Sequence, residues 1–288
     1  MNSTEKRNRL RAILEGELCV RPASVFDALS ARMAEDLGFE AGLFAGSTAS
    51  LAVMGAPDHC VIDLTEFAAQ ARRICRAGDL PVMVDADHGY GNSLNVRRTV
   101  VELENAGVAG LSIEDTDLPT PFGKAGTRSL IPMEEGIAKM KAALDARQDP
   151  ALVIVGRTSA VGLAPDEAVA RVAAYTATGV DALFLSDVND KTLFEAVSAV
   201  VTVPLMVGKA STDVRNTEFL QSHGVRIDQQ THKPMLAGLL ATYETLKKFR
   251  DGATVAELDY FASTELVRQL TRADDYDRQL DENLGGMS

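Results

Sequence analysis

Tryptophan is absent from the 288 residues, and aromatic side chains together make up only 5% of them. A platform on which nucleic-acid bases stack therefore has little material to be built from. Basic clusters are missing as well, and a net charge of −12 argues against a grip on phosphate backbones or anionic bilayers. Apolar runs are short, with nowhere about 18 in succession, so no transmembrane helix is predicted. The first 17 residues carry charges throughout and have no signal-peptide core. Cysteine is scarce: Cys19, Cys60 and Cys75 are an odd number at no metal-ligand spacing, which predicts buried thiols without catalytic duty. The expectation is a soluble, cytoplasmic protein that handles a small molecule, with neither nucleic acid nor membrane as partner.

What is present is enough for a full core, with 46% hydrophobic and 24% charged residues. A leading helix is predicted over 3–16, where Leu10, Ile13 and Leu14 share one face. Thereafter apolar runs and helical patterns alternate. Strands are expected at 18–23, 39–45, 80–84, 107–113, 151–156, 179–186, 203–207 and from 224 towards His232. Helices are expected at 27–37, 66–77, 93–106, 133–147, 165–177, 190–200 and 234–249. Eight strands alternating with helices, without a flexible linker, predict a single (β/α)8 TIM barrel spanning 1–288. The alternative is a doubly wound open sheet, but Arg21-Pro22-Ala23-Ser24 after the first strand is unlike a dinucleotide fingerprint. Residues 250–288, helical and highly charged, are surplus to one barrel and are expected to pack on a neighbouring subunit.

The chemistry gathers at strand ends. Asp85-Ala86-Asp87-His88-Gly89-Tyr90-Gly91 follows the apolar run Leu80 to Val84. Alternation along a strand would turn Asp85 and Asp87 the same way, as two hard oxygen ligands for one Mg²⁺. A strand-end turn with solvated acids is the plainer alternative. Glu114 and Asp115 close the next strand in the same manner, so the four acids suggest one shared pocket. Gly46-Ser47-Thr48-Ala49-Ser50 is a small-residue loop that either admits an anion to its backbone N–H groups or forms a simple tight turn.

Taken together, Gly46-Ser47, Pro57-Asp58, the Asp85 to Gly91 motif, Ile113-Glu114-Asp115 and Arg157-Thr158 make the chain resemble the isocitrate lyase and phosphoenolpyruvate mutase superfamily over roughly residues 20–250, and within it the oxaloacetate decarboxylase branch. The resemblance implies a barrel with Mg²⁺ at its C-terminal rim, Mn²⁺ being the alternative. It also implies a 2-oxo acid substrate, an enolate-like intermediate, and a homotetramer, a dimer of dimers, that exchanges a C-terminal helix. It further implies Asp85 as the direct metal ligand, with Asp87 and Glu114 acting through waters, and Gly46, Ser47 and Thr48 as the carboxylate-binding loop. Arg157 would face the substrate carboxylate, and Asp58 and His232 would join Arg157 as catalytic residues. A rim ion pair for Arg157 and a solvated loop position for His232 are the bland alternatives. His88 is a weaker candidate near the metal, and His59 and His223 are expected on the surface.

Departures narrow the chemistry. The superfamily's carbon–carbon lyases carry Cys and His in the loop after the fourth strand, where this chain has Gly123-Lys124-Ala125-Gly126-Thr127. The Asn-Ser segment of the mutases is absent there too, and Ser159 stands where Asp or Asn is usual. A metal site without a resident nucleophile suffices to convert oxaloacetate to pyruvate and CO₂. The competing expectations are a lyase or phosphonopyruvate-type activity on another 2-oxo acid, and a barrel that binds a small acid without turnover.

Overall fold

Strand-forming runs rich in Val, Leu, Ile and Met become eight parallel strands, each hydrogen-bonded to the next in chain order. In the computed structural model, which describes residues 1–124, 126, 129–159 and 162–285, they are β1 (Ala23–Ser24), β2 (Gly42–Phe44), β3 (Val82–Asp85), β4 (Gly110–Glu114), β5 (Val153–Ser159), β6 (Ala182–Ser186), β7 (Leu205–Gly208) and β8 (Val225–Gln229). The ring closes where Val20 N–H donates to the Arg226 carbonyl and Asp228 N–H donates to the Val20 carbonyl, each at 2.9 Å. These bonds turn the sheet into the expected (β/α)8 barrel.

The helices are α1 (Ser3–Glu15), α2 (Ala28–Asp36), α3 (Gly46–Ala49), α4 (Leu64–Cys75), α5 (Ser93–Ala106), α6 (Met133–Ala146), α7 (Pro165–Thr176), α8 (Lys191–Ser198), α9 (Thr217–Ser222), α10 (Lys233–Arg250), α11 (Thr264–Thr271) and α12 (Ala273–Leu284). Side-chain caps start several of them: Asp27, Asp63 and Asn92 each accept a backbone N–H of the first turn. Two units are distinguished, Met1–His232 and Lys233–Ser288, so α10, which follows β8 in the chain, falls in the second.

Strand alternation builds two layers of core in the first unit. Val82, Val84 and Ile154 face the helices, packed with Phe67, Val100 and Met140. Met83, Val153, Val155, Phe184, Met206 and Ile227 point into the barrel, joined there by Leu10 and Leu14 of α1. The leading helix thus plugs the barrel, and its buried cations are met by backbone and by acid: Lys6 donates to the Cys75 carbonyl at 2.8 Å, and Arg7 donates to the Val108 and Glu104 carbonyls at 3.1 and 2.8 Å and to the Asp149 carboxylate at 2.6 Å. Buried cations are tolerated because acceptors surround them.

Local differences from the sequence-based expectation have local causes. The strand expected over 18–23 is reduced to Ala23–Ser24 and the isolated Val20 bridge, since Pro22 has no N–H to lend a ladder. Residues 46–50 are helical, continuing through a π-helical turn, Ser50–Met54. Helix α9 lies in a stretch assigned no element. The charged tail resolves into α11 and α12.

Candidate active site

Sheet register assembles the site. Asp85 ends β3 opposite Ser112 of β4, and Glu114 ends β4 opposite Arg157 of β5. Ser112 Oγ donates to Asp85 Oδ1 at 2.9 Å, and Arg157 Nη1 donates to Asp85 Oδ2. The other guanidinium nitrogen, Arg157 Nη2, lies 3.3 Å from Glu114 Oε2, which also accepts from Thr116 Oγ1 at 2.9 Å. The face of Phe184 lies 5.1 Å from the Arg157 guanidinium carbon.

Asp87 reaches the same cavity by a different route from strand alternation, which stops at Asp85. Its backbone is left-handed at φ 46°, a conformation costly for a non-glycine residue and concentrated at functional sites. The turn is braced by Glu114 N–H donating to the Asp87 carbonyl at 2.8 Å. Its carboxylate lies so close to Gly46 that a β-carbon there would sit 2.4 Å from Asp87 Oδ2. Gly46 is therefore needed for the close approach of backbone to acid. Gly89, at φ 79°, completes the turn against Val96.

Asp85, Asp87, Glu114 and Arg157 line a cavity of about 580 Å³ together with Ser47, Asp58 and His232. Gly46 and Thr48 support it from behind: the buried Thr48 hydroxyl donates to the Ala45 carbonyl at 2.8 Å and accepts the Ala45 N–H at 3.2 Å, holding the start of α3. Asp58 stands exposed at the rim. His232 directs Nδ1 to Ser24 Oγ at 2.7 Å. Of the weaker histidines, His59 is exposed yet lines the cavity, His88 is buried with its carbonyl accepting from Lys139 at 3.0 Å, and His223 packs on Phe219.

Asp115 departs from the expectation of one pocket for four acids. Alternation turns it away from Glu114, to where Asp115 Oδ2 accepts from Tyr175 at 2.7 Å, Thr158 at 2.8 Å and Arg171 at 3.0 Å. Of the polar residues Asp228-Gln229-Gln230-Thr231 before His232, the first two end β8, where Asp228 is met by Arg21 at 3.4 Å and Arg215 at 3.3 Å. Sequence reasoning missed Ser24, Ser112 and Thr116, along with Lys209, Arg215 and Gln229 of the cavity wall. Pairing register and barrel closure place Ser112 and Ser24, and neither is visible in one chain's pattern. Thr116, which bridges to Leu130, lines the cavity with Asp117, Leu118 and Thr120. Ala125 and Thr127, two of the positions at which the lyase signature is missing, lie outside the described residues, while Gly126 lines the cavity.

Electrostatically the site is a cluster of buried acids around Arg157. Asp85, Asp87 and Glu114 are all buried, 4–8% exposed. Burial first, then Asp85 and Glu114, push the Asp87 carboxyl well above its usual range, with Arg157 opposing. Burial works against the Arg157 proton, but Asp85, Glu114 and Asp87 outweigh it and raise that pKa. Burial also lowers the His232 imidazole, against the pull of Asp85 and Asp58. The Cys60 thiol is pushed up to about 12 by burial and then by Asp87, so it stays protonated.

Among the described residues no group of three His, Cys, Asp or Glu side chains is arranged as a ready ligand set, and Asp85 is engaged by Arg157. The donor chemistry nonetheless fits a hard divalent cation: three buried carboxylates crowd together beside Arg157, and a further positive centre among them would relieve their repulsion.

The family model for phosphoenolpyruvate phosphomutase matches residues 10–249. A protein of Rhodopseudomonas palustris described as oxaloacetate decarboxylase is 53% identical over 274 residues, 95% of each chain. Among solved structures, phosphoenolpyruvate phosphomutase from Streptomyces platensis subsp. rosaceus superposes with a TM-score of 0.85 at 28% identity, covering 96% of this chain and 99% of that one. Phosphonopyruvate hydrolase in complex with oxalate and Mg²⁺ superposes at 0.83 with 26% identity, covering 98% and 99%.

Proposed function

Because the chain belongs to the phosphoenolpyruvate phosphomutase family, we propose that it is a divalent-metal-dependent lyase that converts oxaloacetate to pyruvate and CO₂. The substrate is that of the 53% identical relative. The observation that carries the reading is the cluster of Asp85, Asp87 and Glu114 around Arg157, lining one cavity with a neutral imidazole and a thiol too basic to attack.

In the reaction the C3–C4 bond breaks, CO₂ leaves, the electron pair becomes the C2–C3 double bond of an enolate, and a proton is then taken up at C3. Asp85, with Asp87 and Glu114, would hold Mg²⁺, or Mn²⁺ in its place, and the cation would supply the positive charge that draws electrons towards C2. Arg157 is held by Asp85 and Glu114 at the cavity wall, where its fork offers charge to the substrate's C1 carboxylate. Ser47 and the N–H groups beside it receive the same carboxylate. His232 donates to the C2 oxygen as negative charge develops there, and its lowered pKa keeps the ring neutral and able to remain a directed donor. Asp58, exposed at the rim, exchanges the proton with solvent.

The oligomer is read as a homotetramer. Helix α10 exposes Leu236, Leu239, Leu240, Tyr243, Leu246 and Phe249, an apolar surface of the kind that copies of a chain bury in one another. On this reading 1–288 serves as one barrel domain with 250–288 as its oligomerisation segment. Among the described residues no helix is long and apolar enough to cross a membrane; a cytoplasmic location is part of the same proposal.

The test is a coupled pyruvate assay with oxaloacetate, run with and without chelator and corrected for decarboxylation by free metal. Metal-dependent turnover above that background supports the reading. Binding of the acid without pyruvate release defeats it.

A further inference from the structure

His232 follows β8 by three residues, and barrel closure brings it beside β1, whose last residue is Ser24. Ser24 Oγ lies 2.7 Å from His232 Nδ1, a full-strength hydrogen bond. From this contact we propose that Ser24 is a positioning residue for the reaction: its hydroxyl donates to Nδ1 and fixes His232 as the tautomer that carries its proton on Nε2.

Three observations support that direction of donation. The two ring nitrogens of a neutral imidazole divide the roles of donor and acceptor, so whatever binds Nδ1 decides what Nε2 can do. Among the described residues Ser24 Oγ makes this one bond, and donation to Nδ1 is the arrangement that gives its proton an acceptor. The cavity lined by His232 is rich in carboxylates, and Asp85 and Asp58 outweigh Lys209 in the field they set at the ring, which disfavours a lone pair turned to the cavity and favours an N–H there. The bond also restrains the ring. Ser24 is anchored by sheet pairing with Leu43, so the imidazole is referred to the barrel wall and not left to the segment between β8 and α10. An orienting partner on the far nitrogen is how a catalytic or metal-bound histidine is commonly held.

This inference rests on the proposed role of His232 as donor to the developing C2 oxygen, yet the tautomer is measurable without turnover. Protein labelled with ¹⁵N only in histidine would be studied by solid-state NMR, with the His232 signals identified by their loss in His232→Gln. The expected spectrum shows His232 protonated at Nε2 and hydrogen-bonded as acceptor at Nδ1. In Ser24→Ala that pattern gives way to a mixture of tautomers. With oxaloacetate, Ser24→Ala should lower kcat roughly 10–100-fold, the usual effect of losing an orienting partner. KM should stay within about twofold, because the ground state is held by other groups. Ser24→Thr, which keeps the hydroxyl, should restore both the spectrum and most of kcat. A proton on Nδ1 in the unaltered protein, or a His232 spectrum unchanged in Ser24→Ala, overturns the proposal. Full activity in His232→Ala would remove the donor role of His232 and overturn the part of Ser24 in the reaction, leaving only the tautomer that Ser24 fixes.

Discussion

Arg157 and Asp85 form an ion pair at the bottom of the cavity, with only 11% and 10% of their side chains exposed. The two partners carry opposite consequences when removed. Asp85→Asn takes one negative charge from a crowded cluster and leaves Arg157 its contact with Glu114, so the fold should persist. Activity should fall at least 10²–10³-fold with loss of the metal ligand, and Mg²⁺ should no longer raise the melting temperature. Arg157→Gln takes the guanidinium from beside three buried carboxylates and should cost about 3–5 kcal/mol of stability, recovered in part by Mg²⁺. Melting curves of both variants with and without the ion check the pair. Equal destabilisation in the two would remove the asymmetry.

How much of this was legible beforehand depended on whether the signal was local. The barrel was, because eight apolar runs separated by helical patterns have few other solutions, and the acids at the ends of β3 and β4 stand out against Val, Leu and Ile. Asp115 was misassigned to the pocket because one residue of strand register separates it from Glu114, and that residue turns it onto Tyr175 and Arg171. Ser24 was invisible: it lies 208 positions from His232 and meets it only through closure between β8 and β1. Burial of Lys6 and Arg7 in α1 was likewise unreadable, since a charged amphipathic helix announces solvent, not a bed of carbonyl groups.

That N-terminal anchor sets a pH dependence. Partial burial would raise the Asp149 carboxyl, but bonds from Arg7 at 2.6 Å, Ala151 N–H at 2.9 Å and Thr4 at 2.8 Å outweigh it and hold its pKa down to about 2. A carboxyl with a lower pKa in the folded than in the unfolded chain contributes stability above its ordinary value near 4 and loses it as pH falls towards 2. Asp149→Asn should therefore destabilise the protein at pH 7 by about 1–3 kcal/mol. It should also flatten the loss of stability between about pH 4 and 2. Chemical denaturation across that range measures both. An unchanged slope would mean that the Arg7 contact contributes nothing in solution.

The tail beyond α10 is predicted to hold the oligomer. Helices α11 and α12 expose Leu266, Val267, Tyr276, Leu280 and Leu284 among their charges, which gives each an apolar stripe in need of a partner. A chain ending at Arg250 should show a smaller mass per particle in light scattering, or precipitate through the uncovered α10 face. A soluble truncated protein of unchanged particle mass would locate the interface elsewhere.

The last prediction separates decarboxylation from mere binding at the same cavity. His232 is bonded to Ser24 and lines the cavity with Arg157 and the three acids, so its free nitrogen is available to an oxygen of the substrate. If it donates to the C2 oxygen, the bond strengthens as CO₂ departs and negative charge grows there, while Arg157 and the carboxylate-binding loop already hold the ground state. His232→Ala should then lower kcat roughly 10²–10³-fold, the range for losing one donor to a developing oxyanion, with little change in KM. His232→Gln keeps an N–H at similar reach and should retain more of the rate. The imidazole is already depressed by burial, so the alkaline limb of the kcat profile should not follow a histidine near 6.5. A kcat unchanged in His232→Ala would make the residue a bystander, and the rate would then have to come from Arg157 and the metal alone.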